Sequence, residues 1–445
     1  MSDPRVVEAC PAQDTGSELL LVSAPPSKTM YYRLAGLLLS GRGCVKNVPD
    51  CEDSDAVNDI ILAAGGVVVS DGRVCLDYFR ESDRYEVDVR CSGGALRVTL
   101  PALVAAVPLG AIIEAEMCER LYKRLEEGTL ALFSQFGRVE FVKKSDERVA
   151  MIVRREKTPR FLRVESRWSS QPISGALIAA TVVSALTGEE VGFELATSVS
   201  FGHVLETLEV IRGAGVSLDY EAMEVGGAWV LRGSLYARQR RYVLSVPGDW
   251  SLASLLLPLA SRHVLVIRGL WKPWPGAGDH LVSFYARAIG YQSSVGEHGG
   301  SVEWIVGPGE AASQVVNVRD TPDLAVSLAY AGASIGASLR LDGVEHLVLK
   351  ESNRLESITN SLRLCGANAY HTGDSMVVSG SCSSGFFELT CPNDHRIAMG
   401  ATTLALASGS CIRVYGAHCV SKSWRGFWQV ISELGVANLV VAASR

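Results

Sequence analysis

The chain repeats one pattern six times: a helix of small apolar residues, then a more amphipathic helix that stops at a glycine. The first helices begin at intervals of 65 to 79 residues. Glycine just beyond the last helical turn is a typical stop, because it alone adopts the left-handed conformation at little cost. The six starts lie near Met30, Ala95, Pro172, Ser251, Asp323 and Arg396, and the six stops are Gly65, Gly137, Gly215, Gly290, Gly366 and Gly435.

Strand patterns fill the gaps between these helices. Runs of β-branched and apolar residues predict strands, and each repeat therefore reads strand, helix, strand, helix, then one or two strands. The sequence thus predicts an α/β protein with six repeats. The clearest strand runs are 66–70, 97–100, 242–246, 264–268 and 339–341.

Six repeats divide naturally into two domains of three. A chain of 445 residues can bury more than one core, since single cores stop growing at roughly 250 to 300 residues. Prolines and glycines interrupt the strand patterns at 23–27 and 245–249, where we expect the chain to cross between domains. Domain I would comprise 1–26 with 249–445 and be discontinuous, and domain II would comprise 27–248.

The net charge of −6 gives no general attraction to nucleic acid or to an anionic membrane, and no basic tract supplies one. No apolar stretch reaches the ~18 to 20 residues that span a bilayer. The eleven cysteines and eight histidines show no metal-like grouping. Because the cysteine number is odd and the first residues do not resemble a secretory signal, we expect no complete disulfide framework and a cytoplasmic location.

Charged and hydroxyl residues stand directly before the first helices. Helix N-termini favour anions, although each hydroxyl or carboxyl there could simply cap its helix. Capping does not explain Lys28 or Arg396. Only nine of the 42 basic residues are lysines, and three of the nine are Lys28, Lys350 and Lys422. A compact ammonium that binds phosphate or transfers a proton is chemically distinct from a guanidinium.

Arginines add a fork geometry that suits phosphate and carboxylate groups. Arg33 lies four residues after Thr29, and Arg354 lies one turn beyond Lys350. Further arginines of this set are Arg97, Arg124 and Arg396. Together with Asp323 and Glu351, these cations indicate a site for polyanionic substrates with carboxylates available for proton transfer.

Six segments resemble motifs of the EPSP synthase family, the enolpyruvyl transferases of the shikimate pathway, in the same order. The resemblance runs from about residue 20 to 435, and the KESxR and DHRxAM pair at this separation is its most specific part. The segments are PPSKTMYYR (25–33), SSQ (169–171), PD (322–323), KESNR (350–354), DHRIAM (394–399) and SKS (421–423), and they match PGSKSxxxR, SSQ, PD, KESDR, DHRxAM and AKSF.

This resemblance implies a two-domain, inside-out α/β barrel of the enolpyruvyl transferase type, with six βαβαββ repeats and a cleft between the domains that closes on substrate. It implies transfer of the enolpyruvyl group of phosphoenolpyruvate to the 5-hydroxyl of shikimate 3-phosphate, with release of phosphate, on the route to chorismate and aromatic amino acids. It implies a monomer with no metal and no organic cofactor.

The same resemblance assigns roles residue by residue. Asp323 would accept the hydroxyl proton, and Glu351, helped by Lys28, would handle protonation and deprotonation of the methylene carbon. Shikimate 3-phosphate would contact Lys28, Thr29, Arg33, Ser169, Ser170, Gln171, Ser200, Asp323, His346 and Lys350. Phosphoenolpyruvate would contact Lys28, Gly93, Arg124, Gln171, Arg354, Arg396 and Lys422.

Several positions depart from the family pattern. The NAGTxxR loop is replaced by CSGGALR at 91–97, and Arg124 precedes Leu125 instead of a proline. Other departures are Pro26 for glycine, Asn353 for an acidic residue, His346 for a common Asn, and His203 for a Tyr that often stacks on the shikimate ring.

Two alternatives stay open at the level of sequence. One is a ligand-binding paralogue that has lost turnover, which the altered 91–97 loop and Asn353 would fit. The other is the UDP-N-acetylglucosamine enolpyruvyl transferase, which shares the fold and uses a loop cysteine. Cys118 lies six residues before Arg124, but we interpret it as a buried or incidental thiol.

Overall fold

The computed structural model describes residues 4–12, 18–272 and 278–442. The chain divides into two compact units. Unit 1 consists of the described residues of Met1–Ser27 and Pro247–Arg445, and unit 2 is Lys28–Val246. Each unit contains one hydrophobic core of its own.

Three sheets of one topology build unit 2. In each sheet the first strand pairs parallel with the second, which pairs antiparallel with the third, which pairs antiparallel with the fourth. In spatial order the sheets are β14 (Tyr242–Ser245), β3 (Gly43–Lys46), β5 (Arg73–Leu76), β4 (Val67–Val69); β6 (Arg84–Arg90), β7 (Ile112–Cys118), β9 (Arg148–Arg155), β8 (Gly137–Lys143); and β10 (Phe161–Ser166), β11 (Val191–Thr197), β13 (Ala228–Tyr236), β12 (Ser217–Val225).

Unit 1 repeats the same pairing in three more sheets. In the last of them, the strand nearest the N-terminus takes the third place. The sheets are β2 (Leu19–Ser23), β15 (Val264–Leu270), β17 (Ser301–Gly307), β16 (Gln292–His298); β18 (Ser313–Asn317), β19 (Ser338–Asp342), β21 (Ser375–Ser379), β20 (Asn368–His371); and β22 (Phe386–Thr390), β23 (Cys411–Tyr415), β1 (Val6–Pro11), β24 (Ala437–Ala442).

Helices connect the strands of every sheet. A parallel pair needs a crossover connection, usually helical, and a helix precedes the second strand in each sheet. The helices of unit 2 are α1 (Met30–Ser40), α2 (Glu52–Ala63), a π-helical turn Ala95–Thr99, α3 (Leu100–Ala106), α4 (Glu119–Tyr122), α5 (Glu127–Ser134), α6 (Gln171–Thr187) and α7 (Phe201–Gly213).

The helices of unit 1 include several 3₁₀ segments, which precede or extend the α-helices. These unit 1 helices are α8 (Trp250–Ala253), Ser254–Ser261, Asp279–Leu281, α9 (Val282–Ile289), α10 (Leu324–Ile335), Glu345–Leu349, α11 (Arg354–Leu364), α12 (His395–Ser408), Ala417–Lys422 and α13 (Phe427–Glu433). The six-repeat α/β architecture predicted from the sequence is confirmed.

Small residues allow the first helix of a repeat to lie inside its unit. In α6 every residue from Pro172 to Ser184 is buried. A Cβ at Gly175 would lie 2.0 Å from the carbonyl oxygen of Arg97. Any larger side chain at Gly175 would therefore push apart α6 and the Ala95–Thr99 turn.

Two local predictions were wrong. The run 97–100 is helical: β6 ends at Arg90, the helical segment begins at Gly93, and it continues buried through the π-helical turn into α3. Gly137 does not stop a helix but begins β8, where a Cβ would lie 1.8 Å from the carbonyl oxygen of Arg154. The other five predicted stops have positive φ: Gly65, Gly215, Gly290, Gly366 and Gly435.

Cysteine pairing also differs from the expectation. Eight of the eleven cysteines form disulfides, and Cys51, Cys391 and Cys419 lie outside them. Cys118 is thus bonded, not an incidental thiol. An odd total excludes only a complete framework, and the missed pairs join cysteines that are 17 to 401 residues apart in sequence. The disulfides are Cys10–Cys411, Cys44–Cys75, Cys91–Cys118 and Cys365–Cys382.

Within the described ranges, no helix combines the length and apolar character needed to cross a membrane. The same ranges hold no group of three or more His, Cys, Asp or Glu side chains that could hold a metal ion.

Candidate functional site

In unit 1, the candidate site is organised around Arg354, the first residue of α11. Its side chain is 1% exposed and bonds to three carboxylates. The Nε atom donates to Asp394 Oδ2 at 2.8 Å, Nη1 donates to Asp323 Oδ1 at 2.9 Å, and Nη2 donates to Glu351 Oε2 at 2.6 Å. One planar guanidinium thus fixes both candidate proton-transfer groups on its two terminal nitrogens.

Two further cations reach the same carboxylates. Arg396 Nη2 donates to Asp323 Oδ2 at 3.1 Å, and Lys422 Nζ donates to Glu351 Oε1 at 3.1 Å. Asp323 and Glu351 therefore each lie between Arg354 and a second cation. We call the whole set the Arg354 cluster; its members are Asp323, Glu351, Arg354, Asp394, Arg396 and Lys422.

Arg354 and Asp394 stay charged although both are buried. Burial alone would raise the pKa of Asp394, which is fully buried, but Arg354 outweighs burial and holds that pKa below its ordinary value. Burial likewise opposes the charge of Arg354, whereas Asp394, Glu351 and Asp323 together raise its pKa. Opposite charges within contact distance favour the ionised forms of both partners.

Two histidines beside the cluster are neutral. Burial lowers the pKa of His346 to about 3, and the positive charge of Lys350 acts in the same direction. Burial and the neighbouring Arg396 lower the pKa of His395 to about 3. Both ring nitrogens of His346 are buried and have no hydrogen-bond partner among the described residues. A substrate hydroxyl could satisfy one of them.

The start of α1 holds a second group of candidates, in unit 2. Thr29 is the N-cap residue, and its hydroxyl accepts a 2.7 Å hydrogen bond from Arg33 Nη1. Both side chains are buried, and burial lowers the pKa of Arg33. Lys28 is half-buried and acts electrostatically on Tyr32. The i, i+4 spacing read from the sequence thus brings Thr29 and Arg33 into contact.

A third group, also in unit 2, meets at Arg97. Its Nη1 donates to Gln171 Oε1 at 3.1 Å, and its Nη2 donates to the backbone oxygen of Arg124 at 2.8 Å. A Cβ at Gly93 would lie 2.7 Å from Arg97 Nη1 and 3.2 Å from Gln171 Oε1. Three expected phosphoenolpyruvate contacts, Gly93, Arg124 and Gln171, therefore converge on one buried arginine.

The expected serines lie at the starts of two helices of unit 2. Ser170 is the buried N-cap residue of α6, and Ser169 Oγ accepts from the backbone nitrogen of Gln171 at 3.2 Å. Ser200 precedes α7 in the left-handed conformation, with φ of 55°. A non-glycine residue held there is unusual, and such strain concentrates at functional sites.

The sequence did not predict three side-chain contacts: those of Asp394, of Arg97 and of His203. Asp394 reads as a helix cap, yet it also binds Arg354 across the fold. Arg97 reads as one cation among several, yet it joins the third group. His203 Nδ1 lies 2.9 Å from Glu206 Oε2, a spacing of three residues on α7 that could have indicated the pair.

Comparison with known proteins points to one family. A family model described as EPSP synthase (3-phosphoshikimate 1-carboxyvinyltransferase) matches residues 21–431. The 3-phosphoshikimate 1-carboxyvinyltransferase of Caldivirga maquilingensis is 32% identical over 425 residues, covering 93% of this chain and 96% of the relative. That of Saccharolobus islandicus is 28% identical over 444 residues, covering 96% and 98%.

Solved structures share the fold at lower sequence identity. The EPSP synthase of Acinetobacter baumannii superposes with a TM-score of 0.70 and 18% identity, covering 98% of this chain and 99% of that one. The enolpyruvyl transferase NikO from Streptomyces tendae gives a TM-score of 0.67 and 17% identity over the full length of both chains.

Proposed function

Because the chain belongs to the EPSP synthase family, we propose that it transfers the enolpyruvyl group of phosphoenolpyruvate to the 5-hydroxyl of shikimate 3-phosphate and releases phosphate. One observation carries this proposal from the structure. Asp323 and Glu351 lie on adjacent nitrogens of one guanidinium, so two carboxylates are held side by side among cations. The reaction needs two proton-transfer groups and charge compensation for anionic substrates, and this arrangement supplies both.

The chemistry divides into addition and elimination. In the addition, Asp323 takes the proton of the 5-hydroxyl as its oxygen attacks C2 of phosphoenolpyruvate, and Glu351, helped by Lys28, protonates the methylene carbon. In the elimination, the C2–phosphate bond breaks and Glu351 takes back a proton from the methyl group. Two carboxylates with different neighbours can divide these tasks, since the surroundings set each pKa.

Residues of both units are assigned to the two substrates. The substrate anions total two phosphates and two carboxylates, and arginine and lysine match such groups well. Arg354 is buried among carboxylates, so in addition to its assigned contact with phosphoenolpyruvate it orients Asp323 and Glu351. The shikimate 3-phosphate contacts are Lys28, Thr29, Arg33, Ser169, Ser170, Gln171, Ser200, Asp323, His346 and Lys350; the phosphoenolpyruvate contacts are Lys28, Gly93, Arg124, Gln171, Arg354, Arg396 and Lys422.

The cysteine-dependent alternative is not favoured. Cys118 is bonded to Cys91, and a sulfur in a disulfide is not a thiolate nucleophile. The family match also favours the shikimate enzyme. A monomeric state and a cytoplasmic location are the two remaining parts of the proposal; gel filtration and cell fractionation test them.

One assay tests the reaction. The purified protein is incubated with phosphoenolpyruvate, and phosphate release is followed with and without shikimate 3-phosphate. We expect release only when both substrates are present, together with the mass of the enolpyruvyl product. Binding of both ligands by calorimetry without any release would instead identify a paralogue that has lost turnover.

A parallel incubation controls for specificity. UDP-N-acetylglucosamine replaces shikimate 3-phosphate at the same concentration. Phosphate release with that acceptor, and none with the shikimate substrate, would overturn the proposed function.

A further inference from the structure

Cys391 and Cys419 lie close together in unit 1 outside the four disulfides. Their sulfur atoms are 2.8 Å apart. Carbon atoms in contact are about 3.5–4.0 Å apart, and sulfur is larger. A disulfide bond measures about 2.05 Å. The pair is therefore too close for ordinary contact and less than about 1 Å from bonding distance.

Each cysteine lies three residues before a member of the Arg354 cluster. Cys391 follows β22 and precedes Asp394, with its sulfur 3.5 Å from the Asp394 backbone oxygen. Cys419 and Lys422 belong to one 3₁₀ helix, Ala417–Lys422. Residues three apart in a 3₁₀ helix lie on the same side.

The cluster already links these two segments through side chains. Asp394 binds Arg354, Arg354 binds Glu351, and Glu351 binds Lys422. A bond between the two sulfurs would close this chain of contacts into a ring. The distance between Lys422 and the α12 start would then be set covalently.

We propose that Cys391 and Cys419 are a redox modification site, which a small-molecule disulfide oxidises to a fifth disulfide that fixes Lys422 in the Arg354 cluster. The Cys391 thiolate attacks one sulfur of the reagent, and a mixed disulfide forms while the first thiolate leaves. The Cys419 thiolate attacks the Cys391 sulfur, and the second thiolate leaves. The two departing thiolates take up the two protons that the cysteines lose, so one disulfide is reduced as another forms.

The surroundings of the pair suit this exchange. The nearby Cys419 sulfur lowers the pKa of the Cys391 thiol, and Cys391 is half-buried, so a small reagent can reach it. In contrast, burial raises the pKa of Cys51 to about 12. Cys51 should therefore stay a thiol when the pair reacts, because the thiolate is the attacking species.

Counting thiols tests the bond directly. The purified protein is treated with oxidised glutathione, unfolded without reductant, labelled with a maleimide, and analysed by intact mass and peptide mapping. We expect one label per chain, on Cys51, and a cross-linked peptide that joins Cys391 to Cys419. Three labels, or glutathione that remains attached to Cys391, would overturn the proposal.

Two variants serve as controls for the count. Cys51→Ser should give no label after oxidation, and Cys419→Ser should keep glutathione on Cys391 because the resolving thiol is gone. A label on Cys51→Ser would show that the pair had not closed. These counts do not depend on turnover, so they stand even if the proposed function fails.

The expected effect of the Cys391–Cys419 bond on substrate binding rests on the proposed function. We expect the oxidised protein to show a KM for phosphoenolpyruvate about three- to tenfold below that of a Cys391→Ser, Cys419→Ser double variant, because pre-organising Lys422 lowers the cost of binding. The kcat values should agree within about twofold. An equal KM in the bonded protein and the double variant would overturn the link between the bond and the cluster.

Discussion

At the scale of single residues, the contacts of Asp323 fix its orientation, which suits its proposed role as proton acceptor. One of its oxygens accepts from Arg354 and the other from Arg396. A carboxylate that accepts a hydrogen bond on each oxygen keeps one orientation. A general base needs such a fixed orientation for alignment with the substrate hydroxyl. Asp323 also offsets part of the charge of these two guanidinium groups, so removing Asp323 changes the electrostatics around them.

Asp323→Asn should therefore separate proton transfer from binding. The amide keeps a hydrogen-bond acceptor for one of the two arginines but cannot take a proton, so we expect kcat to fall by about 10²- to 10⁴-fold. The Kd for phosphoenolpyruvate, measured by calorimetry, should change by less than about fivefold. Comparable losses in kcat and in binding would contradict a proton-transfer role.

His346 should make the stability of unit 1 depend on pH. Its folded pKa is about 3, against about 6.5 in an unfolded chain. Below pH of about 6.5 the unfolded chain binds a proton that the folded protein does not, so stability falls as pH falls, by up to about 1.4 kcal/mol per pH unit.

Urea unfolding at pH 7, 6 and 5 measures that slope. His346→Asn has no proton to gain, so its free energy of unfolding should fall less steeply over the same range. His395→Asn is the matched comparison, because burial also lowers the pKa of His395 to about 3. A slope that neither substitution changes would contradict the neutral, buried state of these histidines.

At the scale of elements, one residue at the start of α12, Asp394, both caps the helix and binds Arg354 of the candidate site. Asp394 Oδ1 accepts from the backbone nitrogen of Arg396, and Oδ2 accepts from Arg354 on α11. Helix α11 has its own cap, Asn353, whose side chain accepts from the Glu356 backbone nitrogen. The two helix starts are thus tied together by one buried carboxylate.

Asp394→Asn keeps a capping oxygen and removes the charge. We expect a loss of about 1–3 kcal/mol in the free energy of unfolding, less than the 3–5 kcal/mol for a sole partner, because Asp323 and Glu351 still bind Arg354. Asn353→Ala, which removes only a cap, should cost about 1 kcal/mol. If chemical denaturation gives the two variants equal losses, the ion pair adds nothing beyond capping.

Sequence patterns predict those elements whose causes are local. The start of α1 at Met30 and five of the six glycine stops follow from patterning and from the left-handed conformation. The motif residues Glu351 and Arg354, three positions apart, also meet, although the sequence pattern paired Arg354 with Lys350 instead. The contact of Arg354 with Asp394, 40 residues away, depends on how α11 packs against α12, which no local pattern encodes.

At the scale of the whole molecule, both ends of the chain build the last sheet of unit 1. Strand β1 lies between β23 and β24 in the sheet, and in the sequence the whole of unit 2 lies between β1 and these two strands. The Cys10–Cys411 disulfide joins β1 to β23 across 401 residues of sequence. It therefore closes unit 1 where the chain is discontinuous.

The Cys10–Cys411 disulfide should add more to the free energy of unfolding than a disulfide that closes a short loop in the same unit. Cross-linking restricts the unfolded chain, and the chain-entropy model gives a long loop a larger effect. Cys365–Cys382 spans only 17 residues. We expect Cys10→Ala, Cys411→Ala to lower the free energy of unfolding by up to about 3 kcal/mol more than Cys365→Ala, Cys382→Ala.

Hydrogen exchange by mass spectrometry shows which part of the protein loses stability. Peptides of β1, β23 and β24 should exchange faster in Cys10→Ala, Cys411→Ala, while the core peptides of α6 in unit 2 keep their protection, because local stability follows local packing. Cys44→Ala, Cys75→Ala is the reciprocal control, since that disulfide lies in unit 2. Uniform deprotection of both units by either pair of substitutions would mean that the two units unfold as one cooperative body, and that the disulfide stabilises the whole molecule instead of the joined chain ends.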